Sequence, residues 1–159
     1  MTAGRRNLAV TVHVVAALAL LGVSTVVLVA GLQAATRDDA RDAHAVYSLL
    51  RLLTFSLDLP LAAITVLSGV LLALTSSWGM FRHWWVIAKL GIYGATLVIG
   101  LVLISPSLDT MIDVTEAGSP GESGARWTLS VAAGVQVVIL VAAATLGVFK
   151  PGRRRLARR

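Results

Sequence analysis

Four apolar stretches constrain this chain more than anything else in it. They cover residues 8–32, 47–75, 84–104 and 129–149. A spanning helix needs about 20 mostly apolar residues, and each stretch supplies that. Little sequence is left over for a soluble domain. Inside lipid every backbone N–H and C=O must be satisfied within the protein, so apolar spans of this length fold as helices. The expected fold class is all-α, a single domain of four transmembrane helices over residues 1–149 with a short tail at 150–159. Composition agrees: 57% of residues are hydrophobic and 14% are charged, against about 25% charged in a soluble domain.

The net charge of +6 is informative through its placement. Lys150, Arg153, Arg154, Arg155, Arg158 and Arg159 form a basic tail directly after the last apolar stretch. This is a juxtamembrane position suited to anionic lipid headgroups. No folded soluble surface remains to bind nucleic acid. Short cytoplasmic loops carry an excess of Lys and Arg. Placing both termini and the second loop in the cytoplasm puts nine such residues inside and three outside, so both termini are expected to face the cytoplasm. The first apolar run, at 25 residues, exceeds the 7–15 of a signal-peptide core and reads as a retained helix. The chain has no cysteine, which excludes disulfides and thiolate chemistry. Arginine outnumbers lysine twelve to two. That bias, with the Ala-, Val-, Leu- and Gly-rich spans, points to a bacterial plasma membrane.

Ionisable residues inside a span cost about 2.5–3.5 kcal/mol each on insertion scales and face the bundle interior. Four fall there: His13, Arg51, Asp58 and Lys89. Arg51, Asp58, Thr65 and Ser68, with Thr54 between, share one face of an ideal helix, and that face is expected to look inward. Asp58 lies about 18 Å along the axis from Val46 at 1.5 Å per residue, close to mid-membrane. Pro60 follows and removes a backbone donor, which favours a kink. Asp58 is thus either a proton or cation site, or an acid held neutral or paired with Arg51. His13 and Lys89 each lie five residues into their spans and share a depth. A neutral imidazole can ligate haem iron and a nearby cation suits a propionate. Equally, His13 can hydrogen-bond across helices and Lys89 can snorkel to the interface. His44 and His83 sit at span ends, so a two-histidine haem is not expected. Gln136 is read as a structural cross-helix hydrogen bonder. Segment 105–128, rich in Pro, Gly and acid, reads as a mobile outer loop, whose Asp109, Asp113 and Glu116 could line one helical face and bind a cation, or be a solvated acidic stretch. Small residues four apart (Gly69 with Ala73, Gly91 with Ala95, Ser130 with Gly134, Ala143 with Gly147) offer close helix approach. No metalloprotease, phosphate-loop or Ser/His/Asp signature is present.

The run Trp78-Gly79-Met80-Phe81-Arg82-His83-Trp84-Trp85-Val86-Ile87-Ala88-Lys89 resembles the WGLFRHxWVxxK-like inner turn of a family of small, four-span bacterial membrane proteins of unknown function. The similarity extends over nearly the whole chain. It includes an early first-span histidine and a second span running from Pro60 to Gly69. Met80 stands where leucine is usual. Leu20, Leu21 and Gly22 occupy a stretch where a tryptophan–glycine pair often follows the histidine. Asp58 is not a feature of that family. More distantly, the layout is similar to copper-resistance D-like domains and to HemJ-type protoporphyrinogen oxidases. The latter are haem proteins with a first-span histidine and a third-span lysine shortly after a tryptophan, positions that His13 and Lys89 match. That likeness implies a haem b site.

The expectation from sequence is a non-catalytic accessory or interaction protein of the membrane, with a membrane protein or a second copy as partner. The alternatives are a haem b-binding redox protein using His13, and a small proton or cation carrier using Asp58.

Overall fold

The computed structural model describes residues 2–75, 84–119 and 123–149. All regular structure among them is helical. The helices are α1 (Ala3–Ala35), α2 (Ala40–Leu53), α3 (Leu59–Thr75), α4 (Trp84–Ile99), α5 (Ser105–Glu116) and α6 (Ser123–Phe149). One wide π-helical turn, Thr54–Asp58, joins α2 to α3, and another, Gly100–Ile104, joins α4 to α5. Four long helices result, each long and apolar enough to cross a membrane. Most of the turn motif, residues 78–83 with His83, lies outside the described residues, as do Lys150, Arg153, Arg154, Arg155, Arg158 and Arg159 of the tail.

Cross-helix pairs show the antiparallel order. Ser24 of α1 meets Asp58 on the second long helix and Gln136 of α6. His44 of α2 meets Thr115 of α5. The start of α1 and the end of α6 therefore lie at one end of the bundle, called here the terminal end.

Both π turns have the same local cause. Leu59 N–H donates to the Thr54 carbonyl and Ser105 N–H to the Gly100 carbonyl, each reaching back five residues instead of four. In each case the next residue is proline, Pro60 or Pro106. Proline has no N–H, and its ring clashes with the carbonyl four residues earlier. A turn with one extra residue moves those carbonyls aside without ending the helix.

The π turn corrects one expectation. Arg51 and Asp58 share a face only if the helix between them is regular. The extra residue rotates the two ends by about one residue's turn, roughly 100°. Asp58 stays inside while Arg51 swings out, its guanidinium 5.7 Å from the Phe55 ring centre. Arg51 Nε lies 2.8 Å from Asp109 Oδ1, with both side chains about half exposed. The contact is Coulombic rather than an aligned hydrogen bond, since Oδ1 accepts none. An exposed pair of this kind contributes little stability.

Segment 105–128 also differs from the expected loop. Residues 105–116 continue the third long helix as α5 because Leu108, Met111 and Thr115 recur at helical spacing and are buried. Asp109 and Asp113 then take its outer side. The helix ends at Gly118, whose φ of +80° suits glycine. Its N–H donates to the Thr115 carbonyl and that of Ser119 to Val114, a pairing that satisfies the last carbonyls. At the other junction Asp39 caps α2, accepting from the N–H groups of Arg41 and Asp42 at 2.8 and 3.3 Å.

Two apolar cores fill the bundle. The one nearer the terminal end holds Leu20, Ala62, Tyr93, Leu140 and Ala143. The other includes Val27, Tyr47, Leu50, Ile104, Leu108, Met111 and Leu129. On α1, Ser24 falls between Leu20 and Val27. On α6, Gln136 falls between Ala133 and Leu140. Asp58 falls between Leu50 and Ala62. A buried polar layer separates the two cores.

Candidate functional site

The structure places the chemistry-bearing side chains at two levels. The first is centred on His13, in the half of the bundle nearer the termini. Its Nδ1 lies 3.0 Å from the Thr65 carbonyl and 3.1 Å from Ser68 Oγ. A carbonyl can only accept, so Nδ1 carries the hydrogen. Ser68 already donates to the Ile64 carbonyl at 2.6 Å, which leaves its lone pairs to accept from the ring. A neutral ring held this way keeps its free lone pair on Nε2.

Gly69 makes this seat possible. A Cβ there would stand 3.0 Å from His13 Cε1. The Tyr93 ring meets His13 edge-on, with centroids 6.5 Å apart. Lys89 stands on α4 one turn before Tyr93, and its ammonium lies within Coulombic range of the ring. It passes over Gly147 of α6, where an added Cβ would be 2.8 Å from Nζ. All four long helices thus contribute. The structure brings His13, Thr65, Ser68 and Lys89 together, and Gly69 and Gly147, read from sequence only as packing residues, make room for His13 and Lys89.

The second level is the polar layer. Ser24 Oγ–H donates to Asp58 Oδ1 at 2.9 Å. Gln136 Nε2 donates to Asp58 Oδ2 at 3.2 Å and to Ser24 Oγ at 3.1 Å. Asp58 does not pair with Arg51. Gln136, read from sequence as a cross-helix hydrogen bonder, holds the carboxyl. The missing signal was depth, since Ser24, Asp58 and Gln136 each lie near the middle of their spans.

At the far end, Arg126 Nη1 donates to the Ala35 carbonyl at 3.2 Å, tying the end of α1 to the start of α6. His44 bonds Thr115 there and is remote from His13. Among the described residues no cluster of three or more His, Asp or Glu side chains is placed to hold a metal ion, so Asp109, Asp113 and Glu116 do not converge as one. An apolar groove between Ile99 and Leu103 on one side and Trp127, Val131 and Val135 on the other opens to the surface.

A haem needs an axial donor with an available lone pair and a cation for its propionates. His13, with Nδ1 tied to a carbonyl, and Lys89, close by, fit that donor set. Second-axis ligation by His44 does not fit, because His44 stands at the opposite end. Comparison with family models, with characterised proteins and with solved structures found no match to this chain.

Proposed function

We propose that the chain is a multi-pass protein of a bacterial plasma membrane, with both termini in the cytoplasm, that binds one haem b through His13. The observation that carries this reading is the anchoring of His13 Nδ1 on the Thr65 carbonyl, which fixes the tautomer that leaves Nε2 to a metal. The likeness of His13 and Lys89 to two positions of HemJ-type proteins supports the same residue. His13 would hold the iron, and Lys89 would sit beside a propionate. Bound haem would supply one-electron transfer.

The chain's own residues do the positioning. Thr65 and Ser68 stop the imidazole from rotating. Gly69 leaves space for the ring against α3, and Tyr93 limits its tilt from α4. The Lys89 charge favours an anionic group at this level.

Absorption of the detergent-purified full chain tests the proposal. The expected result is a Soret band at about one haem per chain that His13→Ala abolishes and Lys89→Ala weakens. Protein from haem-replete cells with no Soret band refutes it and leaves the accessory-subunit reading. A band that survives His13→Ala moves the ligand elsewhere.

A further inference from the structure

We infer that the polar layer is a proton-binding site, in which Asp58 takes up a proton and the Gln136 amide turns over to accept it. The inference is independent of haem.

The first observation is that two oxygens at this layer have no hydrogen-bond partner. Gln136 is 2% exposed and its Oε1 is unpaired, and Thr54 is 7% exposed and its Oγ1 is unpaired. Both residues line one small gap together with Ser24, Val27, Asp58, Ile104 and Ala133. Buried amide and hydroxyl oxygens are normally satisfied by protein or by an ordered water. This gap is too small for a water.

The second observation concerns charge. Among the described residues the carboxyl's hydrogen-bond partners are Ser24 and Gln136. Ser24 faces it from α1, Gln136 from α6, Ile104 from the wide turn between α4 and α5, and Thr54 from its own helix. None of these is charged. Arg51 is engaged with Asp109 on the surface, and Arg126 with Ala35 at the far end. An ionised Asp58 has no cation beside it.

The energetic balance points away from mere packing. Cross-helix hydrogen bonds in membranes are individually weak, and the three here return less than inserting an aspartate costs. Apolar side chains at these positions would hold the bundle as well, so stability does not account for the cluster.

A proton needs no volume. It forms an O–H bond at Asp58 Oδ2, supplied as an aqueous proton, and no other covalent bond changes. Oδ2–H then requires an acceptor where Gln136 Nε2 now donates. Rotating the amide by half a turn puts Oε1 there, about 3.2 Å away. The unpaired oxygen gains its donor, Ser24 keeps Oδ1, and Nε2 leaves Asp58 Oδ2 and Ser24 Oγ and turns into the gap that the unpaired Thr54 Oγ1 also lines. Release of the proton reverses the rotation. The π turn supports this chemistry, since it places both Thr54 and Asp58 on the gap.

Infrared difference spectroscopy on the full chain in lipid films tests the inference. Spectra are taken at acid and alkaline pH in sodium and in choline buffers. A protonated-carboxyl stretch should appear at acid pH, with a paired shift of a glutamine side-chain carbonyl. Asp58→Asn, whose amide mimics the protonated acid, should remove the carboxyl band. Gln136→Leu should remove the glutamine signal and shift the carboxyl band, which assigns that band even if Asp58→Asn does not fold. No carboxyl band dependent on either residue, at any pH where the protein stays folded, overturns the proposal. A carboxyl band without a glutamine signal overturns the amide switch. Loss of the band on adding sodium at fixed pH overturns a site for the proton alone and makes the layer one that a metal cation shares.

Discussion

Replacing Gly69 with alanine probes the His13 seat most directly. The new Cβ would stand 3.0 Å from Cε1, 3.5 Å from Nδ1 and 3.9 Å from Nε2. Ordinary carbon contacts lie at about 3.5–4.0 Å, so the ring must yield by a few tenths of an ångström. It cannot do so freely. Moving the Cε1 edge off α3 stretches the 3.0 Å bond from Nδ1 to Thr65. Overpacking of this kind costs about 1–3 kcal/mol. Against that, alanine in place of glycine inside a helix gains up to about 1 kcal/mol. The expected net effect is a destabilisation of about 1 kcal/mol. With His13→Ala already present the clash is gone, and Gly69→Ala should become stabilising by a few tenths to 1 kcal/mol. The sign reversal corresponds to a coupling of about 2 kcal/mol between the two positions. Reversible unfolding in mixed micelles with increasing dodecyl sulfate, followed by circular dichroism, reads all four members of the cycle. Equal effects of Gly69→Ala with and without His13 would show that the glycine does not serve the histidine, and the seat described here would be wrong.

Two further outcomes follow from charge placement. Reporter fusions at Gly118 and after Arg159 should place Gly118 outside and the C-terminus inside, and an inward Gly118 or an outward C-terminus refutes the orientation. A peptide of residues 150–159 should float with anionic vesicles at low salt, lose most of that binding at high salt, and ignore neutral vesicles, since each Lys or Arg near such a surface adds about 1 kcal/mol before screening. Equal flotation with both vesicle types refutes a headgroup role.

Span number and helix type were legible because hydropathy over 20 residues leaves lipid-exposed chain few options. Ends were less legible. Residues 105–116 carry Pro, Ser, Asp and Glu, yet Leu108, Met111 and Thr115 keep the helix going by burying one face against α2 and α6. The shared depth of His13 and Lys89 could be read by counting residues, whereas their seats against Gly69 and Gly147 depend on how three other helices approach them. The inward stripe from Arg51 to Ser68 failed at one end only. A proline reveals that a carbonyl loses its donor, but not whether the chain answers with a kink or with a wider turn. Choosing the wider turn sent Arg51 outward and left Asp58 to partners 34 and 78 residues away. No local pattern encodes such pairings.

The two π turns carry a mechanical consequence. α1 and α6 cross the bundle without interruption, while the second and third long helices each have a widened turn, and Asp58 and Ile104, the last residues of those turns, border the same gap. Two stiff struts and two articulated ones meet at one level. The side chains of this layer therefore sit at the joints of the two articulated helices, between the end where His13 and Lys89 stand and the end where Arg126 ties α1 to α6.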